Sequence, residues 1–209
     1  YAVPTVPIIS GDDFVSETLL AYELGWRIQP VSRLSLSVAG FFNDYDDLRS
    51  AEPGPPPSGY PITFGNGVRG DTYGVELSGT YQPADFWRVR GGYTFLKKKL
   101  SVKPGSQDLN KAGAESNDPE NQFLIQSMFD LPAHIETGFV LRYVDELPNP
   151  KVPAYVGLDL QFGWKLTKGL ELSITGQNLL RNRHAEFIPT SPSPREILRS
   201  VNGKLTCRF

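Results

Sequence analysis

Residues Gly169–Leu180 read GLELSITGQNLL, and residues Pro194–Phe209 read PREILRSVNGKLTCRF. In both segments apolar and polar side chains alternate with a period of two, which predicts β-strands with one apolar and one polar face. A last strand of this kind suits a closed barrel, in which it pairs with the first strand and leaves no open edge. We therefore expect an all-β protein whose sheet is an antiparallel transmembrane β-barrel.

The composition excludes several other classes of protein. The chain has 209 residues and a net charge of -2, and no apolar run approaches the ~20 residues that a membrane-spanning helix needs. The charge and the lack of a basic run argue against nucleic-acid binding. With Cys207 as its one cysteine and only two histidines, the sequence predicts no internal disulfide, no metal cluster and no cofactor.

The alternating pattern recurs along the chain and predicts nine strands. Their ranges are 17–28, 34–44, 71–82, 86–97, 121–130, 134–144, 154–166, 170–180 and 194–209. Most are close to the roughly ten residues that a tilted transmembrane strand requires.

The predicted connections alternate between short and long. Residues 29–33, 83–85, 131–133 and 167–169 form short turns, whereas 45–70, 98–120, 145–153 and 181–193 form long loops. This alternation is typical of outer-membrane barrels, whose short turns are periplasmic. To preserve it, residues 60–66 are assigned to a loop or to an extension of the strand that follows.

The three tryptophans support the same interpretation. Trp26, Trp87 and Trp164 each lie on an apolar face within a few residues of a short turn. We expect them to form an aromatic belt at the periplasmic membrane interface, which Phe209 would complete. The alternative is a soluble β-sandwich with an aromatic core, in which the alternation of loop lengths would be accidental.

The number of strands points to a larger barrel. Nine is odd, whereas bacterial single-chain barrels have an even number of strands. The first predicted strand also has no preceding partner, and an unpaired edge is not tolerated in lipid. We therefore expect the chain to be the C-terminal part of a barrel.

Six short segments, in order along nearly the whole chain, carry a family resemblance. They are YAVPT (1–5), SETLLAYELGWR (16–27), FFNDYDDL (41–48), NGVRGDTYGVE (66–76), GQNLL (176–180) with His184, Glu186 and Phe187, and the final strand. Together they resemble the TonB-dependent outer-membrane receptors. Two positions depart from the family pattern, since Ala2 replaces an arginine and Cys207 an aromatic residue.

The resemblance implies the architecture of the whole protein. It implies a barrel of about 22 strands with a plugged lumen, and residues 1–209 would form the last nine strands, without the plug. It implies a location in the bacterial outer membrane, in contact with its lipid. The TonB complex would act through an N-terminal part outside this sequence, and the barrel assembly machinery through the C-terminal strand.

The resemblance also implies energy-coupled uptake of a scarce solute. A ferric siderophore is the expected ligand because it is the commonest ligand class of the family. Cobalamin, haem and oligosaccharides are alternatives within the family. A passive porin or a structural barrel is the alternative of another class.

No catalytic or metal-binding residues are predicted. His134 and His184 are expected at opposite ends of the barrel, with His184 in a loop beside Phe187, and no G-x-S-x-G elbow accompanies them. Any metal would arrive already chelated. Cys207 is expected to face lipid.

Two sets of residues are candidates for binding. The ligand-binding candidates, in the lumen or in extracellular loops, are Lys103, Lys111, Arg142 and His184. The lysines would suit an anionic chelate, although mixed charge in an exposed loop is most often only solvated. The plug-facing candidates are Glu76, Arg88 and Arg90, for which a salt-bridged lumen wall is the alternative.

Overall fold

The computed structural model describes residues 8–10, 13–113, 117–187 and 196–208. Within them lie strands and one 3-10 turn, Pro132–His134. The strands are β1 Ile8–Ser10, β2 Thr18–Val31, β3 Leu34–Glu52, β4 Ile62–Ala84, β5 Trp87–Val102, β6 Asn121–Leu131, β7 Ile135–Val144, β8 Leu147–Pro148, β9 Lys151–Val152, β10 Tyr155–Thr167, β11 Leu170–Gln177, β12 Arg183–Ala185, β13 Glu196–Leu198 and β14 Ser200–Cys207. Within these ranges, no helix is long and apolar enough to cross a membrane.

Nine of these strands form one continuous antiparallel path, in the order β14-β11-β10-β7-β6-β5-β4-β3-β2. The nine strands lie along this path in the order in which they occur in the chain, as in a series of hairpins. The short strand β1 lies outside the path and pairs in parallel with the start of β4. Two small hairpins, β8–β9 and β12–β13, are separate. The predicted all-β antiparallel fold is therefore confirmed, and the nine predicted strands correspond to the nine of the path.

Strands β3 and β4 extend well beyond the predicted ranges. β3 continues to Glu52, and β4 begins at Ile62, so residues 60–66 belong mostly to an extension of the strand. A membrane-spanning strand needs only about 9–11 residues. Counted from the short turn at residues 32–33, that length takes β3 no further than Asp44. The remainder of β3, residues 45–52, thus lies outside the membrane-spanning segment.

The end of the chain also differs from the prediction. The strand predicted over 170–180 stops at Gln177 because Asn178 takes a left-handed conformation with φ of 54°. The strand predicted over 194–209 is interrupted at Arg199. Its first part, β13, pairs with β12, whereas β14 pairs with β11. Phe209 lies outside the described residues.

The chain divides into two compact units, which are described separately. The first comprises residues 1–24, 40–74 and 96–117. Its small core consists of buried Leu48, Val68 and Ala112, against which Tyr45, Leu100 and Val102 pack. The core therefore joins the extended parts of β3, β4 and β5 to the segment that follows β5.

That segment, residues 103–113, is folded onto the extended strands and we call it the clasp. The buried carboxylate of Asp108 accepts hydrogen bonds from the backbone N–H groups of Ala51 at 2.9 Å and Ala112 at 2.8 Å. Glu52 accepts hydrogen bonds from the Ser106 hydroxyl at 2.5 Å and the Gln107 N–H at 2.7 Å. The predicted loop 98–120 is therefore partly strand and partly this anchored segment.

The second unit comprises residues 25–39, 75–95 and 118–209, and its strand register defines two faces. The apolar face carries Phe123, Ile125, Phe139, Leu141, Leu158, Leu160, Phe162, Leu172, Ile174 and Leu205. The polar face carries Gln126, Asp130, Glu136, Arg142, Asp159, Gln161, Lys165, Glu171, Asn202 and Lys204. Cys207 pairs with Leu170 on the apolar face.

Candidate functional site

The polar face contains a closed hydrogen-bond network of three residues, Arg142, Asp159 and Asn178. The guanidinium of Arg142 in β7 donates from Nη1 to Asp159 Oδ2 at 2.7 Å and from Nη2 to Asn178 Oδ1 at 2.8 Å. The second carboxylate oxygen of Asp159 accepts the backbone N–H of Asn178 at 2.8 Å. Asn178 is buried, and its left-handed backbone is a conformation that asparagine tolerates better than most residues. Each partner is therefore held by the two others.

A second group of side chains adjoins this network. His184 of β12 is buried and stacks on Tyr155, with 4.3 Å between ring centroids. Its Nε2 lies 3.1 Å from Glu186 Oε1. Tyr155 and Glu186 are also close enough to Arg142 to interact electrostatically with its guanidinium. We call Arg142, Tyr155, Asp159, Asn178, His184 and Glu186 together the Arg142 cluster.

The structure thus brings two of the four ligand-binding candidates, Arg142 and His184, into one place. His184 was predicted to lie in a loop beside Phe187; it lies instead in the short strand β12 and stacks on Tyr155, while Phe187 is exposed. Sequence reasoning also missed the contributions of Tyr155 and Asn178. A signal for Asn178 was present in the GQNLL segment, whose asparagine follows the alternating part of the strand.

Lys103 belongs to the first unit and is already paired. Its ammonium lies 2.5 Å from Asp46 Oδ1 and 2.6 Å from Asp47 Oδ1. Hydrogen bonds from these two carboxylates raise the pKa of Lys103, and the same bond to Lys103 lowers the pKa of Asp46. The ammonium of Lys103 is therefore engaged by two carboxylates of β3. A ligand-binding role for Lys103 stays a prediction, as does that of Lys111, which is exposed on the clasp.

The plug-facing candidates lie in different surroundings on the polar face. Arg88 pairs with Asp130 at 2.8 Å, near the short turns. Arg90 lines a recess of about 330 Å³ with Arg27 and the hydroxyl groups of Ser35, Ser78 and Thr80. Glu76 is exposed. The recess is lined by two guanidinium groups and several hydroxyl groups, which suit an anionic group.

The three tryptophans lie beside the short turns, as their sequence positions require. The Trp87 indole donates to the Ser127 hydroxyl at 2.9 Å and stacks on Phe129. The Trp164 indole donates to the carbonyl of Ala133, within the 3-10 turn, at 3.2 Å. Trp26 is exposed on the apolar face. An indole with an apolar body and a bonded N–H suits a membrane interface, and the belt itself stays a prediction.

The two histidines lie at opposite ends of β10. His134 lies in the turn beside Trp164, whereas His184 stacks on Tyr155, at the other end of β10. Among the described residues, no group of three or more His, Cys, Asp or Glu side chains could hold a metal ion.

An antiparallel sheet of long strands with short and long connections in alternation, an apolar face and an opposite polar face is the architecture of an outer-membrane β-barrel. Comparison with known proteins defines the class further. The family described as "TonB dependent receptor-like, beta-barrel" matches residues 2–179. The chain belongs to this family, and it is an outer-membrane protein.

Individual relatives are similar over most of this chain. The probable TonB-dependent siderophore receptor PiuA of Acinetobacter baumannii is 24% identical over 162 residues, covering 69% of this chain and 22% of the relative. The ferric-catecholate import receptor Fiu of E. coli K12 has a TM-score of 0.70 at 21% identity, covering 93% of this chain and 28% of Fiu. The FrpB iron transporter of Neisseria meningitidis has a TM-score of 0.77 at 16% identity, covering 97% and 33%. The chain thus spans between a fifth and a third of the length of these relatives.

Proposed function

We propose that this chain forms the C-terminal part of the barrel of a TonB-dependent receptor that imports a ferric siderophore across the outer membrane. The observation that carries the proposal is the family match over residues 2–179, together with a curated relative that is described as a probable siderophore receptor. In this proposal, residues 1–209 supply the last nine strands of the barrel. The plug and the segment that meets the TonB complex belong to an N-terminal part of the polypeptide.

The Arg142 cluster is the proposed contact for the ligand on the lumen wall. A guanidinium has five N–H donors, and two of those of Arg142 are engaged by Asp159 and Asn178. The remaining donors of Arg142 can meet the oxygen atoms of the chelate, whereas Tyr155 and His184 are buried and engaged with each other and with Glu186. Asp159 and Asn178 hold the guanidinium in a fixed orientation, which lowers the entropic cost of binding.

The other partners are proposed from the position of the residues. Arg90 and Arg27 line a recess on the polar face that suits acidic side chains of the plug. The last strand, β14, is the proposed contact with the barrel assembly machinery. Lipid would cover the apolar face.

To test the proposal, the native receptor gene is expressed in a strain from which that gene has been deleted. We expect uptake of radioactive iron, supplied as a purified ferric siderophore in iron-poor medium, to depend on both the receptor and TonB. Arg142→Ala should weaken siderophore binding to cells, whereas Lys103→Ala, which removes a cation outside the Arg142 cluster, should weaken it much less.

Three results would contradict the proposal. Receptor-dependent uptake of only haem, cobalamin or an oligosaccharide would replace the ligand class. Uptake that persists without TonB would favour a passive channel. Equal effects of Arg142→Ala and Lys103→Ala would remove the assignment of the Arg142 cluster while leaving the ligand class in place.

A further inference from the structure

The apolar face of the second unit carries a groove of about 470 Å³. Its floor includes Gly79 of β4, over which Leu36 packs, and Gly91 of β5, which no neighbouring side chain covers. Its walls are the side chains of Trp26, Leu36, Leu77, Tyr93 and Phe123. We propose that this groove binds one acyl chain of a phospholipid from the periplasmic leaflet of the outer membrane.

The wall residues show what surrounds the groove. Trp26, Leu36, Leu77 and Phe123 are all exposed at the surface although they are large and apolar. In a soluble protein a patch of this kind would mark a binding surface. In an outer-membrane protein this face meets the hydrocarbon of the bilayer, so the groove opens into lipid.

A groove that opens into lipid has to be filled by something apolar. Water could fill it only if the lining offered two or more polar partners, and the lining is almost entirely apolar. A vacant groove would leave its walls without dispersion contacts on one side. An apolar group gains nothing from the hydrophobic effect when it moves from bulk lipid into an apolar groove of the protein. Shape and van der Waals contact therefore decide what binds there. A single flexible acyl chain meets both requirements.

The groove differs from the rest of the apolar face because it contacts a chain on several sides. At Gly91 a chain can approach the strand backbone, with the aromatic rings of Trp26 and Phe123 among the walls of the groove. An acyl chain elsewhere on the sheet meets protein on one side only. We therefore expect the chain in the groove to exchange more slowly than the lipids around the barrel.

The position of the groove selects the leaflet. Gly79 and Gly91 both lie within six residues of the short turn at residues 85–86. A strand crosses the hydrocarbon in about 9–11 residues, and short turns of such barrels are periplasmic. The floor therefore lies no further from the periplasmic interface than about the midplane, within reach of the acyl chains of the periplasmic leaflet.

The glycine floor offers a substitution that fills the groove. A Cβ atom added at Gly91 would meet nothing nearer than the Leu124 carbonyl oxygen at 3.9 Å, so Gly91→Leu places its side chain in the groove without displacing the backbone. Gly203 pairs with Ile174 on the same face, outside the groove, and a Cβ there meets no atom within 4 Å. Gly203→Leu is thus the matched control.

The test uses the native receptor that contains this chain, reconstituted in vesicles of phosphatidylethanolamine and phosphatidylglycerol. The protein is then extracted in mild detergent, and the phospholipids that remain bound are counted by native mass spectrometry. We expect the wild type and Gly203→Leu to retain a phospholipid that Gly91→Leu loses. Phe123→Ala removes a wall of the groove and should also reduce retention, which keeps the test decisive if Gly91→Leu fails to assemble.

Two outcomes would overturn the proposal. In the first, Gly91→Leu and Phe123→Ala assemble and retain as much phospholipid as the wild type. In the second, the wild type is a dimer without bound lipid and Gly91→Leu makes it monomeric, which would show that a second copy of the protein covers the groove.

Discussion

Arg142 Nη1 and Asp159 Oδ2 form an ion pair of 2.7 Å on the polar face, and the other oxygen of that carboxylate accepts a hydrogen bond from the backbone N–H of Asn178. Asp159 therefore fixes both the guanidinium and the point at which β11 ends. Both side chains are mostly buried, so the loss of either leaves polar groups that water reaches poorly.

From this arrangement we predict that Asp159→Ala lowers the free energy of unfolding of the native receptor by about 1–3 kcal/mol. Unfolding of the receptor by guanidinium chloride in lipid vesicles measures this change. Ser173→Ala, on the same face of β11, is the control and should have little effect. In a double-mutant cycle with Arg142→Ala, the two substitutions should be non-additive, and strictly additive effects would contradict the pairing.

Asn178 allows its backbone and side-chain roles to be separated. Its φ of 54° is unfavourable for alanine but not for glycine. Asn178→Gly removes only the amide that accepts from Arg142, whereas Asn178→Ala adds backbone strain of about 1–2 kcal/mol. We expect the alanine variant to have the lower unfolding midpoint, and the reverse order would show that the left-handed conformation is not required.

The fold was predictable because the strands alternate, and the Arg142 cluster was not. Arg142 and His184 lie far apart in the sequence and meet only because β7 pairs with β10 and the segment after β11 folds back on Tyr155. The three-residue strand β12, which carries His184, is too short to show a period. Likewise, the parts of β3 and β4 outside the membrane do not need an apolar face, so their sequences lack the alternation that predicts a strand.

The clasp should respond to pH through the carboxylates of β3 that hold it, Glu52 and Asp46. Burial tends to raise the pKa of Glu52, but hydrogen bonds from Ser106, Ser50 and Gln107 outweigh it and hold the pKa below the ordinary value of 4.5. The bond to Lys103 likewise lowers the pKa of Asp46 from 3.8. Groups with lowered pKa values stabilise the folded state above their unfolded pKa and cease to do so as the pH falls through the folded one. The raised pKa of Lys103 has the opposite sign, so its contribution holds below 10.5 and is lost at higher pH.

We therefore predict that the clasp, residues 103–113, opens on acidification below the ordinary pKa values of these carboxylates. Hydrogen exchange of the native receptor at neutral pH and at about pH 3, corrected for the intrinsic exchange rate, should show lost protection in this segment. Glu52→Gln should be less protected at neutral pH and should change less on acidification. Equal protection of the wild-type clasp at both pH values would contradict the role of the carboxylates.

The assignment of the two faces can be tested with adjacent residues of one strand. Leu141 lies on the apolar face near the middle of β7 and pairs with Ile125 and Leu158, whereas Val140 pairs with Gln126 and Asp159 on the polar face. Leu141→Arg should lower the stability of the barrel in lipid by about 2–4 kcal/mol, because it places a charge in hydrocarbon near the midplane. Val140→Arg introduces the same side chain beside Asp159, on the lumen side, and should cost much less. Unfolding of both variants in vesicles gives the comparison, and similar losses would mean that the polar face does not line a hydrated lumen.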